Sequence, residues 1–339
     1  MKKETQIMLS GVQPTGNLHV GNYLGAVKQL VDLQNSGAYD MYVFIADLHS
    51  LTGNMTADER REQITRTAAE LLSAGIDPEK STLFVQSHVP AHTELAWIFN
   101  CVTPVAELER MTQYKDKSVS QEKNINAGLL TYPALMAADI LMYKPEAVPV
   151  GDDQIQHLEL TRDIAKKFNK KYGEYFTEPK ALLTKTPRIK SLLEPTSKMS
   201  KSKGMGHVIE LADEPAVIEK KLKKAVTATE GGAGSPGVEN LLLLLSHFSA
   251  SDGSASGGGT SSLYKQFVAA EKDGSIRYGD LKKEVAESIS TYFESFRARR
   301  KELLDNHNEI ADILIAGAAR ANVVAGKTLA DVRKLVGIR

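Results

Sequence analysis

The stretch Ile7-Met8-Leu9-Ser10-Gly11-Val12-Gln13-Pro14-Thr15-Gly16-Asn17-Leu18-His19-Val20-Gly21-Asn22-Tyr23-Leu24-Gly25 decides the fold. It opens with a short apolar run that ends in Ser10-Gly11, the form of a buried parallel strand. A turn bearing glycine and proline follows, and a helix start is expected near Val20. In an open α/β sheet, nucleotides bind in the crevice at the carboxyl end of such a strand. A helix N-terminus offers free N–H groups to a phosphate there. Gln13, Pro14 and Thr15 of the turn, and Gly21 and Asn22 of the helix start, are therefore nucleotide-binding candidates. His19 can donate to a phosphate oxygen. Gly21 has no side chain to keep a flat base away from the backbone, although Gly21 and Gly25 are also spaced for close helix packing. The stretch contains neither Gly-x-Gly-x-x-Gly nor a P-loop, which disfavours dehydrogenases and P-loop ATPases.

The pattern repeats downstream. Met41 to Ala46 and Leu83-Phe84-Val85 are further short apolar runs, and Ala57 to Ala74 is a helix-length segment closed by Gly75 and Pro78. This alternation predicts a Rossmann-like, doubly wound parallel sheet with helices on both faces. From Glu214 onward the sequence reads as helices: Pro215 to Val226, Glu239 to Phe248, Tyr278 to Leu304 and Asn308 to Val336. A single core stops growing near roughly 250–300 residues, so 339 residues predict two domains. The expected division is a Rossmann-like catalytic domain over residues 1–205 and an all-helical domain over 206–339. Two glycine- and serine-rich stretches, Glu230 to Gly237 and Ser251 to Ser262, read as loops.

Composition narrows the class. Lysine plus arginine equals aspartate plus glutamate at 42 each, so the chain is not a generic basic nucleic-acid coat. Local clusters at Lys166, Lys167, Lys170 and Lys171, and from Arg297 through Arg299, Arg300 and Lys301, could still meet phosphates or could be solvated helix faces. No apolar run approaches the roughly 20 residues of a membrane span. Met1-Lys2-Lys3-Glu4 lacks a signal-peptide stretch, and the single cysteine, Cys101, excludes an intrachain disulfide, so the expected location is the cytoplasm with no membrane partner. His88 and His92 have metal-like spacing but lack completing ligands, and no metal site is expected. Trp97 is expected in the core.

A second constellation is Lys198-Met199-Ser200-Lys201-Ser202, with Gly204 and Gly206 behind it. Two lysines on a glycine-flanked loop can fold positive charge over a triphosphate and stabilise a departing pyrophosphate. A basic surface loop is the plainer alternative for five residues taken alone. His19-Val20-Gly21-Asn22 and Lys198-Met199-Ser200-Lys201-Ser202, in that order, resemble the H-I-G-H and K-M-S-K-S motifs of class I aminoacyl-tRNA synthetases. The second matches throughout. The first departs at Asn22, where bacterial tryptophanyl enzymes commonly carry asparagine. Leu108 to Lys117, Gly128 to Tyr143 and Val148 to Asn169 resemble the tryptophanyl family specifically, and the likeness covers most of residues 7–203.

The resemblance implies ATP-dependent activation of L-tryptophan and its transfer to tRNA(Trp), with Mg2+ carried on ATP and a homodimer as the assembly. It places His19, Asn22, Lys117, Lys198 and Lys201 in catalysis. The remaining ATP contacts are Gly151, Asp152, Asp153, Ile189, Met199, Ser200 and Ser202. Leu9, His49, Tyr132, Met136, Asp139, Val148, Val150 and Gln154 are implied at the tryptophan. Asp139 also stands out physically: among Leu135, Met136, Ile140 and Met142, a carboxylate needs a donor, and the resemblance makes that donor the indole N–H. Two departures qualify the match: Lys203-Gly204-Met205-Gly206 replaces the family's acidic residue and proline, and Leu9 stands where some relatives carry an aromatic. Three alternatives remain: a tyrosyl-tRNA synthetase, a small nucleotidylyltransferase, and a non-catalytic paralogue binding tRNA or tryptophan.

Overall fold

The computed structural model describes residues 6–115, 125–151, 154–183, 188–227, 234–249 and 261–338. The chain divides into two compact units interleaved in sequence. Unit 1 holds Met1–Gly16, Gln29–Lys185 and Leu303–Arg339; unit 2 holds Asn17–Lys28 and Thr186–Glu302.

Unit 1 is built on a parallel five-stranded sheet: β1 Gln6–Val12, β2 Tyr39–Ile45, β3 Ser81–Val85, β4 Ala147–Val150 and β5 Lys180–Leu183, in the order β3-β2-β1-β4-β5. Met8 of β1 registers with Met41 on one side and Ala147 on the other. The chain thus winds outward from β1 in one direction, then crosses to its other side, and β1 lies at the reversal of strand order. The strands read as continuous apolar runs because helices cover the sheet: Met41, Val43 and Ile45 are fully buried, as are Leu83 and Phe84. β5 has no strong sequence signal, being four residues at the sheet edge.

Four helices of unit 1 matter for the site: α1 Asp47–Ser50 after β2, α2 Ala91–Asn100 after β3, α3 Ala127–Tyr143 and α4 Ile155–Tyr172. α3 is apolar nearly all round and buries Leu129, Ala134, Ala137, Ala138, Ile140 and Leu141, so it runs through the core rather than along its surface. Asn126 caps it by accepting from the Leu129 N–H at 3.0 Å. The last helix of the chain, α5 His307–Val336, is long and apolar enough to cross a membrane by length and composition. Its apolar face instead covers unit 1, where Ala318, Ala321, Ala325, Leu329 and Val332 join the core. Gly317 is required there, because a Cβ would sit 1.7 Å from the Leu83 carbonyl oxygen of β3. That packing is why the chain's end belongs with the sheet, whereas a single cut after residue 205 would group it with the other helices.

Unit 2 is helical: α6 Pro215–Lys223, α7 Pro236–Phe248, α8 Ser262–Asp273, α9 Tyr278–Tyr292 and α10 Glu294–Asp305, the last ending past the unit boundary. Ile218, Leu222, Leu241, Leu244, Leu281, Val285 and Ile289 form its buried interior. The expected single helix over Tyr278 to Leu304 breaks at Phe293, which turns out of helical geometry to pack edge-on against Tyr23 and Tyr292. The loop expected over 230–237 gives way to α7 at Pro236, a favoured first position. The Ser251 to Thr260 stretch lies outside the described residues.

Candidate active site

In unit 2, residues 18–20 pair with 209–211. Val20 N–H donates to the Ile209 carbonyl at 2.9 Å, and Leu211 N–H to the Leu18 carbonyl at 3.0 Å. This draws the helix start out of unit 1. His19 is the N-cap of a short turn, Val20–Asn22: its Nδ1 accepts from the Asn22 N–H at 3.2 Å, and Asn22 Oδ1 accepts from the His19 N–H at 3.2 Å. The capping box fixes the imidazole chemistry. Nδ1 is an acceptor, so the ring proton is on Nε2 and available to a phosphate. Burial lowers the His19 pKa from 6.5 to about 4, with the Lys201 and Lys198 ammonium groups adding to the effect. His19 is therefore neutral at neutral pH and keeps that single donor. Gly21 has a use that the sequence did not show: a Cβ would lie 3.0 Å from the His19 ring, and Met199 Cβ is close by at 3.6 Å.

The lysine loop is anchored on its first half. Met199 N–H donates to the Ile189 carbonyl at 3.0 Å, and both side chains are buried. Lys190 bridges antiparallel to Lys198, while Asn240 of α7 bonds both the N–H and the carbonyl of Lys190. Ser200 caps a single 3-10 turn over Lys201–Lys203, accepting from Ser202 N–H at 3.4 Å. Lys201 Nζ donates to the Asn17 carbonyl at 2.5 Å. The Asn17 side chain donates to Glu210 at 2.9 Å and accepts from Arg300 at 3.3 Å. The departure after Ser202 is accommodated locally: Lys203 pairs with Glu194, and Gly204 takes φ 110°, a left-side conformation that favours glycine.

In unit 1 the candidate residues follow the carboxyl ends of the strands, where crevices form. Gln13 to Thr15 make a tight turn after β1, with Thr15 N–H on the Gln13 carbonyl at 2.9 Å. His49 follows β2, and Gly151 and Gln154 follow β4. Leu9, Val148 and Val150 are buried on their strands, and Met136 is partly buried on α3. Tyr132 hydroxyl meets His157 Nε2 at 2.8 Å, and burial pushes its pKa up to about 12, so it stays protonated. Lys117, Asp152 and Asp153 lie outside the described residues.

Asp139 is the centre of this unit's polar chemistry. It is 1% exposed. The protein itself supplies donors that the sequence reading assigned only to a substrate: His49 Nε2 at 2.8 Å on Oδ2, and His92 Nδ1 at 2.6 Å and Gln86 Nε2 at 2.7 Å on Oδ1. Burial alone would raise its pKa, but the hydrogen bonds from His49 and His92 outweigh it and hold the group below the usual carboxylate value. Gln86 also accepts the Leu48 N–H at 3.2 Å, which fixes its amide orientation between α1 and Asp139. Sequence reasoning missed Gln86 and set His92 aside. Their signal was position, since both follow β3 as His49 follows β2, together with the donors a buried carboxylate demands.

One expectation is overturned. Trp97 is 69% exposed rather than core, because α2 turns that face outward. It lines a recess of about 460 Å³ with Leu48, Leu51, Ala96, Tyr132 and Leu135. His88 is exposed and His92 buried, so the pair does not face one site; among the described residues no group of three His, Cys, Asp or Glu is placed to hold a metal. The basic clusters are partly used internally: Lys166 and Lys167 pair with Glu178 and Glu107, Arg299 with Glu302, and Arg297 with the Ser290 carbonyl.

A doubly wound parallel sheet, a His-x-Gly-Asn helix start and a Lys-Met-Ser-Lys-Ser loop together define a class I aminoacyl-tRNA synthetase. Comparison with known proteins agrees. The family model described as tRNA synthetases class I (W and Y) matches residues 1–294. A tryptophan–tRNA ligase of Corynebacterium efficiens is 45% identical over 97% of this chain and 94% of its own. The tryptophanyl-tRNA synthetase of Campylobacter jejuni, solved with ADP and tryptophan, superposes with a TM-score of 0.84 at 34% identity, covering 97% of this chain and 99% of that one. That of Mycoplasma pneumoniae gives 0.85 at 35% identity, covering 99% and 98%. The chain belongs to the class I tRNA synthetases of the tryptophan and tyrosine group, and the three relatives just described are tryptophan enzymes.

Proposed function

We propose that this chain is a tryptophan–tRNA ligase, activating L-tryptophan with ATP and transferring it to the terminal adenosine of tRNA(Trp). The observation that carries the substrate is likeness to tryptophan–tRNA ligases along nearly the whole chain at 45% identity. Mg2+ enters bound to ATP. The tryptophan carboxylate attacks the α-phosphorus, forming the carboxyl–phosphate bond as the bond to pyrophosphate breaks. No protein nucleophile is required, so catalysis is positioning and charge stabilisation. His19 Nε2–H and Asn22 assist at the phosphates, and Lys117, Lys198 and Lys201 stabilise the leaving pyrophosphate. The turn residues Gln13 to Thr15, with Gly21, Gly151 to Asp153, Ile189 and Met199 to Ser202, hold ATP. Asp139 accepts the indole N–H; Leu9, His49, Met136, Val148 and Val150 surround the ring; and Tyr132 and Gln154 serve the amino group. The 2′-hydroxyl of the terminal adenosine then attacks the adenylate carbonyl and releases AMP.

The catalytic steps are assigned to residues 1–205, and the anticodon to the helices that follow residue 205 in unit 2, α5 being part of the sheet's core. The enzyme works in the cytoplasm as a homodimer, without a membrane. The exposed Trp97 beside an apolar recess supports a face covered by a second copy. ATP–pyrophosphate exchange with each standard amino acid tests the reading. Exchange dependent on tryptophan alone is expected; exchange with tyrosine would move the substrate to the sister branch, and none with any amino acid would sink the assignment.

A further inference from the structure

Asp139 holds its donors unevenly. Oδ1 takes two, from His92 and Gln86, while Oδ2 takes one, from His49. Each oxygen of an ionised carboxylate offers about two acceptor positions. Oδ1 is therefore filled, and Oδ2 keeps one position open. A carboxylate alone does not maintain that difference, because its terminal torsion is broad and two-fold.

His92 supplies the constraint. It sits on α2, fully buried, with its ring among Phe44, Phe84 and Tyr143 at centroid distances of 6.0, 6.1 and 5.5 Å. Both nitrogens are engaged by one helix. Nδ1 donates to Asp139 Oδ1, and Nε2 meets the Tyr143 hydroxyl at 2.8 Å. Asp139 and Tyr143 are one turn apart on α3, so successive turns bracket a single imidazole. A carboxylate can only accept, which places a proton on Nδ1. Burial, and then the Asp139 charge, raise the Tyr143 pKa, so its hydroxyl keeps its proton and can donate to Nε2. The resulting chain runs from Tyr143 O–H through His92 to Asp139.

We propose that His92 is a positioning residue for side-chain recognition: gripped at both ends by α3, it fixes the rotation of the Asp139 carboxylate so that Oδ2 presents the open acceptor to the indole N–H. This rests on the reading that Asp139 accepts that N–H. His92 touches no substrate; it acts through Asp139, with Tyr143 behind it. A histidine that served only to fill the core would alter stability without altering which amino acids are accepted.

The test is pyrophosphate exchange with tryptophan and with its benzothienyl analogue, in which sulfur replaces the indole N–H. It is run on the wild type, His92→Ala, His92→Asn, Tyr143→Phe and Asp139→Asn, with KM for ATP and Tm measured on each. His92→Ala is expected to raise KM for tryptophan and to shrink the preference over the sulfur analogue, each about tenfold, with KM for ATP within about twofold. His92→Asn places an amide N–H near the position of Nδ1, and should keep the preference within about threefold. Tyr143→Phe should fall between the two. A folded His92→Ala protein with the wild-type preference overturns the proposal. Should that variant not fold, an unchanged preference in Tyr143→Phe overturns it instead. Loss of preference in Asp139→Asn together with its retention in His92→Ala refutes the positioning role alone. Retention in Asp139→Asn refutes the reading beneath it.

Discussion

The two polar centres of this molecule are built on opposite plans. Around Asp139 in unit 1, side chains from α1, α2, α3 and the end of β3 meet in a buried network. Around Lys201 in unit 2, the ammonium donates to the Asn17 carbonyl, and Ser202 and Lys203 beside it are exposed. The chemistry proposed for each explains the contrast. Choosing an indole requires a fixed acceptor in a dry setting, where an unmatched group costs most. Stabilising a departing pyrophosphate requires charge that follows the phosphates as they move, which suits a lysine on a partly exposed loop.

Of the two, the rigid centre should be the more sensitive. Asp139→Asn exchanges a charged acceptor for an amide amid donors already in place. It is expected to lower kcat/KM for tryptophan by about three powers of ten while leaving ATP binding intact. An equal loss of ATP affinity would mean that Asp139 supports the whole unit and not the indole. Lys201→Ala comes next, with kcat falling by about two powers of ten and KM for ATP changing little. A change confined to KM would place Lys201 in ground-state binding and remove the functional half of the comparison.

The third test uses pH. The folded-state pKa of His19 lies near 4 against 6.5 for the free group. Below 6.5 the unfolded chain takes up a proton that the folded protein refuses, so stability present above pH 6.5 is lost as pH falls towards 4. Between about pH 7 and 5 the loss is on the order of 2 kcal/mol. Other carboxylates titrate in the same range, so the readout is the difference in urea stability between wild type and His19→Asn, which keeps a capping side chain. A pH-independent difference would show that His19 is not held neutral by its burial and by Lys198 and Lys201.

What the sequence made legible follows the same division. The strand ends and the two motifs are local patterns, and the helix start near Val20 and the lysine loop both stand where their residues indicated. The donors to Asp139 are not local. Gln86 and His92 lie 53 and 47 residues from it along the chain, and only the tertiary fold joins them. His88 and His92 share a metal-like spacing, but spacing does not say that His88 is turned to solvent while His92 is buried. Trp97 failed as a core residue for a related reason: an apolar side chain reads as buried until the face opposite it is known to be empty within one copy of the chain. β5 and α8 were missed because four edge residues give no period, and because α8 follows a glycine- and serine-rich run, although Ser261 and Gly274 cap its ends.

Asn17 offers the finest test, since it separates the tether on Lys201 from its support. Its carbonyl accepts the ammonium, while its side chain joins Glu210 and Arg300. Asn17→Ala keeps the first and removes the second. Two side-chain bonds at a partly exposed site are worth about 1 kcal/mol or less each when water can replace them. The exchange rate with tryptophan should therefore change by about threefold or less, since the carbonyl remains and the lysine must leave it in any case to follow the phosphates. A loss as large as that of Lys201→Ala would reverse the reading of unit 2. Its charge would then be as closely positioned as the Asp139 carboxylate, through a bracket of Glu210, Asn17 and Arg300 in place of one of imidazole and phenol.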